Sequence, residues 1–150
     1  MTEAETNKEI IRRYQDACNR NELDFLDEVL DPNWVTNGWV EGTPQSIQAA
    51  KDVQQELLKV FPDLHYETLD LFAEGEQVAQ RWMARATHAG EFAGFPPTGR
   101  QIEVSGISIF RLVRGRIVEH WTHIDEFGLY EQVGWKAPEA IRVYAHGTPR

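Results

Sequence analysis

The chain has 150 residues, 41% of them hydrophobic and 26% charged, with a formal net charge of -9; this suits one soluble globular domain with enough chain for a real core. The acidic balance and the lack of any basic block exclude nucleic acid and anionic membranes as expected partners, and no apolar run approaches the ~18 residues of a membrane span. The start, Met1-Thr2-Glu3-Ala4-Glu5, is too polar for a signal peptide, and the single Cys18 rules out an internal disulfide framework, so the cytoplasm is the expected compartment.

In chain order, Glu3 to Asn19 reads as a helix, with Ile10, Ile11, Tyr14, Ala17 and Cys18 on one stripe and a Thr available as cap. Leu23 to Leu30 reads as a second, short helix stopped by Asp31-Pro32. Trp34 to Val40 is a short strand with a turn or bulge at Asn37-Gly38. A third helix opens at Thr43 or Ser46 and runs to about Val60, where Phe61-Pro62 ends it. The period then changes. Leu64 to Phe72 and Gln77 to His88 form a hairpin turning at Gly75. Ala89 to Arg100 is a Gly- and Pro-rich loop carrying Phe92 and Phe95, a candidate rim or lid. Ile102 to Val113 is a long strand that turns at Arg114-Gly115 into the stretch holding most of the chemistry. A short helical piece, Leu129 to Val133, stops at Gly134, and residues 135–150 form a tail without clear period.

That stretch runs from Gly115 to Leu129. As a regular strand it places Ile117, Glu119, Trp121, His123 and Asp125 on one face and Val118, His120, Thr122 and Ile124 on the other. A two-residue turn at Arg114-Gly115 pairs Trp121 with Ser108 and His123 with Gly106, small residues facing large ones beside a cavity; a bulge would shift that pairing. His120 then faces packing or an interface. His120-x-x-His123-x-Asp125 does not converge on a metal, because the two His point to opposite faces. Helices followed by antiparallel strands make an α+β fold. Its N-terminal helices pack on a curved, mostly antiparallel sheet that encloses a pocket for a small molecule.

Three strings, Thr87-His88-Ala89-Gly90-Glu91-Phe92, Gly94-Phe95-Pro96-Pro97-Thr98-Gly99-Arg100 and Gly115-Arg116-Ile117-Val118-Glu119-His120-Trp121, with Asp125 and Gln132-Val133-Gly134, resemble the SnoaL-like polyketide cyclases. These lie within the superfamily of nuclear-transport-factor-2-like and ketosteroid-isomerase-like folds. The resemblance implies one domain over 1–150, with a core of about 5–134 and a cone-shaped α+β barrel. It implies an aldol-type ring closure on a hydrophobic carbonyl substrate with no metal or organic cofactor. The Asp four residues after the Trp acts as general acid/base in that family, which here is Asp125, and a first-helix Tyr lining the pocket matches Tyr14.

Beside Asp125, His123 can hydrogen-bond it or the substrate carbonyl. Trp121 is a candidate wall for a flat substrate, and His88, Phe95 and Ser108 are candidate substrate contacts. Two other readings compete. One is an epoxide-hydrolase-like enzyme, which wants an Arg flanked by two carboxylates; Met83 and Ala79 occupy the places two residues from Arg81. The other is a non-catalytic binding or assembly module, discriminated by the pocket volume. A homodimer is expected through Val118, Ile124, Ile107 and Ile109, read as the face opposite Asp125.

Overall fold

The computed structural model describes residues 1–38 and 41–141. The first helix, α1 (Glu3–Asn19), begins at a capping box: Thr2 Oγ1 accepts from the Glu5 N–H, and Glu5 reaches back to the Thr2 N–H. Then follow α2 (Phe25–Val29), β1 (Leu30–Asn37), α3 (Ile47–Val60), β2 (His65–Glu74), β3 (Gln77–Thr87), β4 (Gln101–Val113), β5 (Arg116–Ile124) and α4 (Glu126–Gln132). Ser46, the later of the two expected starts of α3, is its cap and accepts from the Ala49 N–H.

Among the described residues, five strands form one open sheet in the order β1-β5-β4-β3-β2, with β1 parallel to β5 and every other pair antiparallel. The helices cover one side, and the barrel implied by the resemblance is an unclosed cone. Strand β1 starts earlier than expected, at Leu30, and runs through Pro32. It lies at the sheet edge, where a residue without an N–H costs no ladder bond. Trp39 and Val40, at the end of that expected strand, lie outside the described residues.

One bulge decides which side chains meet. The turn between β4 and β5 is the expected two-residue turn: Val113 pairs with Arg116, and Arg114 and Gly115 both take positive φ, 51° and 76°. That is the turn whose twist matches a hairpin. Leu112 then pairs with Ile117, but Arg111 pairs with Glu119, so Val118 has no partner. One extra residue exchanges the two faces of everything after it. The expected pairings of Trp121 with Ser108 and His123 with Gly106 are therefore corrected. Ser108 faces Thr122, Gly106 faces Ile124, and Trp121 and His123 face Ile109 and Ile107. A second bulge leaves Leu69 unpaired in β2.

Burial alternates strictly along β4, with Ile102, Val104, Gly106, Ser108, Phe110 and Leu112 on the helix side. Two apolar clusters close that concave side. One joins Ile11, Leu26, Trp34, Val78, Phe110 and Ile117, and the other joins Phe61, Ala86, Ile102, Val104, Leu129 and Val133. The outer side carries ion pairs, Arg81 to Asp70 at 2.6 Å and Arg85 to Glu103 at 2.7 Å. It also exposes Phe72, Ile107 and Ile109. The apolar outer patch is thus Phe72, Ile107, Ile109 and Trp121; Ile124 belongs to the concave side. No described helix is long and apolar enough to cross a membrane.

Candidate functional site

Between the two clusters lies an open cavity of about 880 Å³, large enough for a drug-sized ligand. Tyr14 and Cys18 of α1, Val53 and Leu57 of α3, and Phe127 and Tyr130 of α4 wall it, over a floor of β3, β4 and β5 side chains. Trp135, just past the expected core boundary, also lines it and stands edge-on to Phe127 at 5.1 Å.

The floor is apolar except for a row of neutral hydrogen-bonding groups. Trp82 Nε1 donates to Ser108 Oγ at 3.0 Å. Ser108 Oγ lies 3.1 Å from Thr122 Oγ1, Thr122 Oγ1 bonds His120 Nε2, and His120 Nδ1 lies 3.4 Å from Thr36 Oγ1. Beside Ser108 in the β3–β4 register stands Gln80, which donates to Gln15 Oε1 and Thr68 Oγ1, both at 2.8 Å. The His120 ring stacks on Phe110 with centroids 4.6 Å apart. Burial pushes His120 down to about 4, so at neutral pH it carries one N–H and one lone pair. Burial pushes the Cys18 thiol up to about 11 and raises the Tyr14 and Tyr66 hydroxyls above their ordinary value. These cavity groups are uncharged at neutral pH, as an apolar ligand requires.

Gly106 makes this floor possible. Its β3 partner is Trp82, whose indole lies across it: a Cβ built on Gly106 would meet the ring at 2.3 Å. The small residue holds a large neighbour's ring, not ligand space. Gly106→Ala should push the indole off its Ser108 contact and destabilise the fold by about 1–3 kcal/mol. The penalty should shrink in a Trp82→Phe background, which thermal melts of the single and double variants measure; equal penalties would contradict this packing.

The expected site residues divide. Tyr14 and Ser108 line the cavity, and Tyr14 stands edge-on to Phe110 at 5.9 Å. His123 is exposed and borders both the cavity and a smaller outer hollow formed with Trp121, Gln77, Ile107 and Ile109. Trp121 is not a cavity wall, because the Val118 bulge turns it outward. His88 is fully buried behind the cavity: its Nδ1 accepts from the Thr98 N–H at 3.3 Å and its ring packs near Phe61. It pins the 89–100 loop and does not border the cavity. Phe95 rests against Phe92 and Gly134, so the loop packs on the second cluster, and none of its residues lines the cavity.

Asp125 sits exposed at the end of β5 and is not itself among the residues that line the cavity. Its Oδ1 accepts from the Gly128 N–H at 2.9 Å, which caps α4 and starts that helix three residues before the expected Leu129. Its neighbours Ile124, Glu126 and Phe127 line the cavity. His120 and Thr122, expected to face away, are the groups sequence reasoning missed, along with Gln15, Gln80 and Trp82. Only recognition of the bulge would have found the first two. Among the described residues, no three His, Cys, Asp or Glu side chains gather as metal ligands.

The model of the SnoaL-like polyketide cyclases matches residues 8–133. The chain is 28% identical over 142 residues to the aklanonic acid methyl ester cyclase DnrD of Streptomyces peucetius, covering 91% of this chain and 98% of that one. It is 27% identical to DauD of Streptomyces sp. strain C5, a cyclase of the same description, covering 89% and 86%. The solved structure of IdmH from Streptomyces antibioticus superposes with a TM-score of 0.77 at 35% identity, covering 86% of this chain and 99% of that one. The chain therefore belongs to the SnoaL-like polyketide cyclase family.

Proposed function

We propose that this protein closes a ring on a hydrophobic carbonyl substrate by an intramolecular aldol-type reaction, without a cofactor and with Asp125 as acid/base. The observation that carries the reading is the cavity, with apolar walls, a row of neutral polar groups on its floor and Glu126 at its border, and with Asp125 adjoining its lining residues Ile124 and Glu126. Oδ1 of Asp125 accepts from the Gly128 N–H and Oδ2 lies against Gly128, so in this reading the carboxylate swings from the cap towards the cavity to act. Oδ2 takes a proton from carbon beside a carbonyl; the resulting enolate carbon attacks a ketone of the same molecule. A carbon–carbon bond forms, the C=O π pair moves to oxygen, and the proton on Asp125 passes to that alkoxide. The product is an isomer of the substrate. His123, at the same end of β5, would hydrogen-bond the carboxylate or the substrate in this reading.

Two observations weigh against the alternatives. A cavity of about 880 Å³ is not the side-chain-filled interior of a pure assembly module. Arg81 lies on the outer face paired with Asp70, away from the cavity an epoxide hydrolase would need it in. The test is incubation with an aromatic polyketide ester that carries an activated methylene and a pendant ketone. Mass spectrometry and chromatography should show a ring-closed product of unchanged mass; product at only the uncatalysed rate would overturn the reading.

A homodimer through the outer sheet face is part of this proposal. Phe72 is 68% exposed and Ile107 55% exposed on that face, beside Ile109 and Trp121, an apolar patch that calls for cover. Light scattering should give about twice the chain mass of 17.3 kDa, and Ile107→Glu should return a monomer. A wild-type monomer at dilute concentration would contradict it.

A further inference from the structure

Counting hydrogens along the floor shows how the cavity meets a ligand oxygen. Trp82 Nε1 can only donate, and it donates to Ser108 Oγ. Beyond it, Ser108, Thr122, neutral His120 and Thr36 bring one polar hydrogen each. Three links join them: Ser108 to Thr122, Thr122 to His120, and His120 to Thr36. Four hydrogens for three links leave one over, and with the links all pointing one way it lies at an end of the chain. Ser108 Oγ and Thr36 Oγ1 are those ends, and no further hydrogen bond engages either atom among the described residues.

The tautomer of His120 decides which end holds it. With the proton on Nε2, His120 donates to Thr122 and Thr122 to Ser108. Ser108 Oγ then accepts two bonds and its own O–H turns to the cavity that it lines. With the proton on Nδ1, every link reverses. Ser108 donates to Thr122 and presents an open lone pair instead.

We propose that Ser108 is the contact for the substrate's electrophilic ketone oxygen, and that His120 is a positioning residue whose tautomer sets whether Ser108 donates or accepts. This rests on the aldol reading. In that reaction the ketone oxygen enters as an acceptor and leaves as a hydroxyl, which can donate. The form with the proton on Nε2 donates to the entering ketone, the form with it on Nδ1 accepts from a hydroxyl, and the chain itself is neutral in both. Donors aimed at an oxygen where charge develops are among the largest contributions to catalysis.

The test uses two probes of one shape, 2-acetylnaphthalene and 2-isopropenylnaphthalene, in which C=CH₂ replaces C=O. Affinities for the intact protein are measured by fluorescence, and the carbonyl stretch of the bound ketone by infrared difference spectroscopy. Ser108→Ala should weaken the ketone by about three- to tenfold relative to the alkene and move the stretch to its value in apolar solvent. Thr122→Val and His120→Phe should move the stretch part of the way, because in this assignment they act on the ketone oxygen through Ser108; a purely structural role would leave it unmoved. If both probes bind and Ser108→Ala changes neither their ratio nor the stretch, the assignment of Ser108 is overturned while the cavity reading stands. If neither probe binds wild-type protein, the cavity reading falls and this proposal with it.

Discussion

Asp125→Asn should lower turnover of the ring-closing reaction by about 10²–10⁴-fold and leave the melting temperature essentially unchanged. The two effects separate because Asp125 has two jobs. It caps α4 by accepting from the Gly128 N–H, and Asn caps a helix as well as Asp does. Only the exchangeable carboxylate proton is lost. Asp125→Ala removes the cap as well. It should cost about 1 kcal/mol, a fall of roughly 2–4 °C in a chain of this size. Melting curves and a substrate assay on both variants check this, and an Asn variant turning over like wild type would remove Asp125 from the mechanism.

His120 should make the fold acid-sensitive well above the range where carboxylates titrate. Its folded value is held down to about 4 by burial, against 6.5 for a free imidazole. Between these values the unfolded chain binds a proton that the folded chain refuses. The stabilisation is therefore fully present above pH ~6.5 and is lost progressively as pH falls towards about 4. The loss is at most about 3 kcal/mol, because the cavity side of the ring keeps some exposure. That is roughly 6–12 °C of melting temperature. His120→Gln does not titrate, so its melting temperature should fall less steeply over this window even if it starts lower at pH 7. Parallel curves for the two proteins would contradict the burial of a neutral imidazole at this position.

The elements were legible because their signals are local. Glu3–Asn19 announces itself by its apolar stripe and Thr2 cap, and Arg114-Gly115 by a turn that needs positive φ. The alternation along β4 carries over directly into its buried face. Which residues of β5 face the cavity was not legible. An unpaired Val118 has the same composition signal as a paired one, and a β-branched residue is at home in either setting. That single extra residue turned Trp121 outward and brought His120 and Thr122 in. Gly106 misled for a related reason. It reads as room for a ligand until Trp82, distant in sequence, folds across it. His88 reads as a cavity contact from its place at the end of the long strand, whereas its ring is buried behind the cavity with Nδ1 held by Thr98.

The most direct measurement is a crystal structure with 2-acetylnaphthalene bound. The rings should lie in the concave cavity, between Tyr14 and the Phe110–His120 stack on its floor, with the carbonyl within about 3 Å of a floor hydroxyl. Density for the probe in the outer hollow beside Trp121 and His123, with the cavity empty, would contradict it.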